Sequence, residues 1–206
     1  MKLKYFIDTN KGVTFLVLLG LVGYYRQWAN PTAMLYLALH GTYGLMWVLK
    51  SRLFPDKQWE RPVPLWFGLV SWAALTLYWV PGWIICSRSV EAPAWVLAAC
   101  ASLYTFGVFF HFTSDMQKTA SLKLRPGTLI TDGLFGLARN INYFGELAIY
   151  AAMAGLAMSP PAFVPLAAFL SLYWIPNMLR KERSLSRFPE FAQYKRTTAW
   201  FIPYIF

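Results

Sequence analysis

The sequence predicts an all-α fold: a polytopic integral membrane helical bundle with about six transmembrane helices and a C-terminal interfacial segment. Three observations lead there. The 206 residues are 57% hydrophobic and 18% aromatic against 14% charged, too apolar for an ordinary soluble domain. Apolar stretches that meet the length of a spanning helix, about 20 residues, recur near 12–29, 31–50, 63–84, 92–112, 141–158 and 161–179. Finally, the positive charge alternates from one connection to the next.

Lys2, Lys4 and Lys11 precede the first stretch, and Lys50, Arg52, Lys57 and Arg61 lie between the second and third. Lys118, Lys123, Arg125 and Arg139 lie between the fourth and fifth, while Arg180, Lys181, Arg183, Arg187, Lys195 and Arg196 follow the sixth. The intervening connections hold only Arg26 and Arg88. Because positive residues mark the cytoplasmic side, six spans with both termini cytoplasmic are expected, in a bacterial inner membrane or the endoplasmic reticulum. The net charge of +10 is thus read as topology and attraction to anionic lipid, with no nucleic acid partner. No cleavable signal is expected, since the first apolar run lacks a small-residue cleavage site.

Proline and glycine punctuate the chain. Pro31 opens the second span, Pro62 and Pro64 flank the third, and Pro126-Gly127 marks a turn in the long basic loop. Pro81-Gly82 and Pro160-Pro161 are expected at the outer ends of spans. Cys86 and Cys100 have neither a CxxC partner nor a histidine at ligand spacing, so packing is expected of them and no metal site. After Asn177 the chain turns polar and basic, with interspersed Leu179, Leu185, Phe188 and Phe191 before the terminal WFIPYIF. That pattern suits a segment lying at the interface.

The polar residues inside the apolar stretches carry the functional reading. RNINYFGE, residues 139–146, opens the fifth stretch. Asn140 is expected to cap a helix starting near Ile141, and Asn142 and Glu146, four apart, share a face. Arg139 and Tyr143 continue that face, or simply anchor at the interface. A carboxylate one turn into a span normally faces the bundle interior and marks a functional site. His111, Asp115 and Lys118 form a second face at the end of the fourth stretch. With Lys123 and Arg125 beside a turn, the loop supplies three cations of the kind a phosphate-bearing ligand requires. His40, Tyr43 and Trp47 share a face of the second stretch, where a tyrosine hydroxyl in a dry pocket can donate a proton or polarise a carbonyl, or bond between helices. In the tail, Glu182, Arg183 and Tyr194 are positioned by sequence to close over a cytoplasmic pocket, or to coat the membrane surface.

HFTSD, RPG, GLF, NYFGE and the terminal IPYIF occur in this order over roughly residues 105–206. In this the C-terminal half resembles the steroid 5α-reductase family, within a superfamily that includes sterol reductases and isoprenylcysteine and phospholipid methyltransferases. The resemblance implies a single transmembrane domain, 1–206, with substrate-side helices over 1–104 and a cofactor-binding half over 105–206. It implies NADPH as cofactor, held by the C-terminal helices beside a lipid-facing pocket for a lipophilic small-molecule substrate, with membrane lipid as the other partner. By motif position, Asp115 and Asn142 resemble nicotinamide- or adenosine-side ligands. Glu146 resembles the carboxylate of the cofactor cradle, and Lys118, Lys123 and Arg125 the phosphate-binding group. His111 stands where the reductases usually show asparagine. The reductases polarise their ketone with a Glu–Tyr pair from N-terminal helices. Spans one and two hold no glutamate here, and Tyr43 lies two residues past Gly41, the position nearest the family tyrosine, about 200° around a helix.

Two enzyme readings follow. One is an NADPH-dependent reductase of a C=C bond in a lipophilic enone, with His40 or Tyr43 polarising the carbonyl or supplying the proton. The other is an S-adenosylmethionine-dependent methyltransferase of a lipid or isoprenylated substrate. Those enzymes usually carry Arg-His-Pro where this chain has Arg139-Asn140-Ile141, and a cofactor without phosphate leaves the basic loop unused. A non-catalytic membrane protein is the third reading, against which stands the cost of keeping intramembrane polar groups.

Overall fold

A computed structural model describes residues 1–205; Phe206, the last residue of the IPYIF motif, lies outside the described residues. The fold is all-α. Among the described residues, five helical stretches are long and apolar enough to cross a membrane: Leu3–Tyr24, Pro31–Leu53, Leu65–Ser87, Ala94–Leu124 and Pro160–Leu185. We number the helices α1 (Leu3–Tyr24), α2 (Pro31–Leu53), α3 (Leu65–Thr76), α4 (Val80–Ser87), α5 (Ala94–Leu124), α6 (Ile141–Gly155), α7 (Val164–Phe169), α8 (Ile175–Leu185) and α9 (Phe191–Thr197). The expected fifth span is α6. Its 15 residues rise only about 22 Å, short of the ~30 Å hydrocarbon core.

Two compact units form, Met1–Tyr104 with Tyr150–Pro165, and Thr105–Ile149 with Leu166 onward. In the first, α1 starts at Leu3, nine residues before the expected first span, and ends at Tyr24. Lys11 is therefore not a loop residue ahead of the span. It lies inside α1 and is buried, 4% exposed. The buried positions Leu3, Ile7, Lys11, Thr14, Leu18 and Val22 recur every three or four residues, which is the helical period. Helix α2 begins at Pro31 behind an Asn30 cap, whose Oδ1 accepts from the amides of Thr32 and Ala33 at 2.9 and 3.1 Å. Gly44 lets α1 and α2 touch: a Cβ there would lie 2.3 Å from the Lys11 carbonyl oxygen. Such small-residue contacts replace hydrophobic driving force between membrane helices. Pro81-Gly82 does not end a span. A short 3-10 turn, Leu77–Trp79, absorbs the proline within the continuous stretch Leu65–Ser87, because Pro81 has no N–H to offer the preceding turn.

In the second unit, α5 and α6 approach closely. A Cβ on Gly145 would sit 2.4 Å from the His111 amide nitrogen, and one on Gly107 would sit 2.8 Å from the Gly145 carbonyl oxygen. Gly145 in NYFGE is thus a contact glycine, its cost within a helix offset by the approach it permits. The stretch continuing from α7 widens into a π-helical turn, Leu170–Trp174, directly before Pro176 of α8. Pro176 offers no N–H to that turn, a local cause for the change in pitch. Phe135, Ala138 and Ile141 form the buried cluster beneath the loop, flanked by Phe110, Phe144 and Ala199.

Candidate functional site

The second unit collects the residues of the two polar motifs. With Gly145 against His111, the α5 face bearing His111 and Asp115 lies along the start of α6. His111 is 3% exposed and Asp115 5%. His111 Nδ1 is 3.1 Å from the Asn142 carbonyl oxygen. That oxygen only accepts, so Nδ1 carries the proton and Nε2 is left as the acceptor side of the ring. Asn142 uses its backbone here, while its side-chain Oδ1 is buried with no hydrogen bond. Glu146, one turn further, is half-buried and makes no hydrogen bond or ion pair with any described residue. Tyr143 packs against Trp174 of the π turn, ring centroids 6.0 Å apart. Beyond that turn, Asn177 Nδ2 is also buried without a partner.

Other expected site residues are engaged within the fold. Arg139 is buried, and its guanidinium donates to Glu182 Oε1 at 2.9 Å, to the Lys195 carbonyl at 3.2 Å and to the Thr198 carbonyl. Asn140 stands at the N-cap position of α6, which starts at Ile141 as expected, and its carbonyl accepts from the Phe144 amide at 3.1 Å, but its side chain does not cap the helix. Its Nδ2 donates to the Trp200 carbonyl at 3.0 Å, and its Oδ1 has no partner. Backbone bonds from Arg139 to Ala199 and from Asn140 to Trp200 complete a short docking of the tail. Tyr194 is buried, and its hydroxyl donates to the Phe135 carbonyl at 2.7 Å; burial pushes its ionisation up. Arg183 is exposed. Lys118 and Lys123 lie on the last two turns of α5 and not on a loop; Lys118 is half-buried and Lys123 exposed, and Arg125, just past the helix, pairs with Asp132 at 2.9 Å. That hydrogen bond holds the Asp132 carboxyl below the usual range, and both partners are more than half exposed, so the pair contributes little to stability.

The first unit holds a separate polar cluster around His40 and Tyr43, both at most 1% exposed. The Tyr36 hydroxyl donates to the Tyr78 carbonyl at 3.0 Å and lies 2.9 Å from His40 Nδ1. With the hydroxyl proton so committed, Nδ1–H donates to Tyr36 and Nε2 is the acceptor. Lys11 joins this cluster. Its ammonium donates to the Tyr150 hydroxyl and stands 4.9–5.5 Å from the ring centroids of Tyr43, Trp47, Tyr78 and Tyr150, within cation–π range. Tyr150 itself stacks on Tyr78 at 3.8 Å. Sequence reasoning missed Lys11, Tyr150, Tyr36 and Asn177. Two signals were available. Lys11 keeps the three-to-four spacing of the buried α1 positions, and Tyr150 follows Glu146 by four.

An all-α membrane protein with polar clusters buried in its helices is the class this fold defines. Over residues 4–198 the chain matches the family described as protein of unknown function (DUF1295), and it belongs to that family. It is also similar to the Delta(14)-sterol reductase of Arabidopsis thaliana, 28% identical over an alignment of 158 residues, with 68% of this chain and 42% of the relative covered. The chain therefore spans less than half the length of that relative.

Proposed function

We propose that this protein is a membrane-embedded, NADPH-dependent reductase of a C=C bond in a lipophilic, steroid- or isoprenoid-like enone. One observation carries the reading: Asn142 and Glu146 share a helical face beside His111 and Asp115, with the Asn142 side-chain oxygen and the Glu146 carboxylate unused by the protein. Acceptors in that state suit a ligand rich in donors, such as a carboxamide and ribose hydroxyls. His111, Asp115, Asn142, Tyr143 and Glu146 would hold the nicotinamide and ribose, and Lys118, Lys123 and Arg125 the phosphates. NADPH, when bound, supplies the hydride. Tyr43, with Lys11 and Tyr150 beside it, would polarise the substrate carbonyl and furnish the proton, and His40, whose Nε2 accepts, would hold or receive a proton in the same cluster. The similarity to a sterol reductase supports a sterol-like substrate and an oxidoreductase.

Titration of the detergent-purified protein with NADPH, NADH and S-adenosylmethionine, followed by thermal shift and calorimetry, tests the cofactor. NADPH is expected to bind most tightly, because Lys118 and Lys123 at the end of α5, with Arg125 after it, favour a 2′-phosphate. Stabilisation by S-adenosylmethionine alone overturns the reductase in favour of the methyltransferase reading.

Both termini are proposed to be cytoplasmic, with α6 as a sixth membrane segment, because the basic connections alternate. Fusion reporters at residues 57, 88, 120 and 206 are expected to read cytoplasmic except at 88. A cytoplasmic reading at 88 overturns this topology.

A further inference from the structure

Asn177 lies in the first turn of α8, three residues past Trp174. Its Oδ1 accepts from the Arg180 guanidinium. A guanidinium only donates, which fixes the orientation of the amide and leaves Nδ2 as the atom buried without a partner. A buried donor without an acceptor is costly, the more so in a stretch apolar enough to cross a membrane, Pro160–Leu185. Two contacts fix where this donor stands. Tyr143 packs against Trp174, and the Lys181 ammonium donates to the Arg139 carbonyl at 2.5 Å. The start of α6 and α8 therefore run in opposite directions along each other. Asn142 falls between Arg139 and Tyr143, and Asn177 between Trp174 and Lys181, so the two amides stand at one level. Asn142 brings the complementary atom, an Oδ1 buried without a partner. Asn140 also has a buried Oδ1 without a partner, but its Nδ2 bonds the Trp200 carbonyl, which commits that side chain to the tail.

We propose that Asn177 and Asn142 together read the primary carboxamide of the nicotinamide, an assignment that rests on the reductase reading and adds α8 to the elements that hold the cofactor. A primary carboxamide presents the matching pair, an oxygen that accepts and beside it an NH2 that donates. Asn177 Nδ2 donates to that oxygen, and Asn142 Oδ1 accepts from that NH2. A ketone or a carboxylate in the same place satisfies the Asn177 donor and leaves the Asn142 acceptor buried and unpaired. The carboxamide is then a point of selection in its own right, separate from the 2′-phosphate.

Calorimetry and thermal shift on the detergent-purified protein provide the test, with NADPH and its acetylpyridine analogue, in which a methyl group replaces the NH2 of the carboxamide. Wild type is expected to bind NADPH about tenfold more tightly than the analogue, the scale of one hydrogen bond. Asn142→Ala is expected to erase that gap. Asn177→Leu is expected to weaken both ligands about tenfold while keeping the gap. Its apo melting temperature should hold or rise, because a buried donor without a partner has been removed. Asn177→Asp keeps an acceptor for Arg180 and replaces the donor by a second acceptor, so it should lose more affinity than Asn177→Leu. Equal affinity of wild type for NADPH and the analogue, or undiminished NADPH affinity in either folded Asn177 variant, overturns the proposal. A lower apo melting temperature with affinity intact assigns Asn177 to a water within the fold and overturns it as well. Wild type that binds neither dinucleotide overturns the reductase reading itself, an outcome distinct from any effect confined to the variants.

Discussion

Arg139→Met is expected to lower the stability of the protein by about 3–5 kcal/mol, the range for removing one partner of a buried ion pair. The side chains of Arg139 and Glu182 are 5% and 13% exposed, so Glu182 cannot recover its lost partner from bulk water. The Lys195 and Thr198 carbonyls lose donors at the same time. These contacts tie the tail to the start of α6, so the loss should spread: faster proteolysis beyond α9 should accompany the lower apo melting temperature. The control is the double variant Arg139→Met with Glu182→Leu. Replacing both charges by apolar groups leaves no stranded carboxylate, and much of the stability should return. A melting temperature unchanged in Arg139→Met would show that the pair is water-bridged and contributes little.

The motif RNINYFGE divides at this point into two jobs. Its first two residues fasten the tail, its glycine sets the α5–α6 contact, and Asn142 and Glu146 present acceptors that the protein leaves unused. The helical class, the apolar spans and the shared faces of His111 with Asp115 and of Asn142 with Glu146 were legible because they rest on local spacing. The role of Arg139 was not, since its partners lie 43 to 59 positions away and only the folded tail brings them near. Lys11 was misplaced for a different reason. Charge read as topology assigns every lysine near a span to a loop, whereas four aromatic rings from α2, the 3-10 turn after α3 and α6 make a membrane-embedded ammonium tolerable here. Those rings are scattered from Tyr43 to Tyr150, and no local pattern announces them as one site. The short length of α6 also escaped the hydropathy reading, because the apolar run continues through Leu156–Met158 after the helix has ended.

Glu146→Gln is expected to weaken NADPH binding by about 1.5–3 kcal/mol, the range for hydrogen bonds to a charged group, roughly a 10- to 150-fold rise in Kd. The substitution keeps the size of the side chain and one acceptor oxygen while removing the charge. It should leave the apo protein almost untouched, because Glu146 neutralises nothing in the fold: Arg139 is paired with Glu182 instead, and Arg183 is exposed. A structural glutamate would behave in the opposite way, with its loss lowering the apo melting temperature and leaving affinity alone. The two quantities are therefore measured together, apo melting temperature and NADPH affinity, in wild type and variant. Asn142→Ala serves as the companion, since removing the neighbouring acceptor should also weaken binding, by about 0.5–1.5 kcal/mol, as for a neutral hydrogen bond. Undiminished NADPH affinity in Glu146→Gln, with a folded protein, would remove this carboxylate from the cofactor cradle and with it the main support for the reductase.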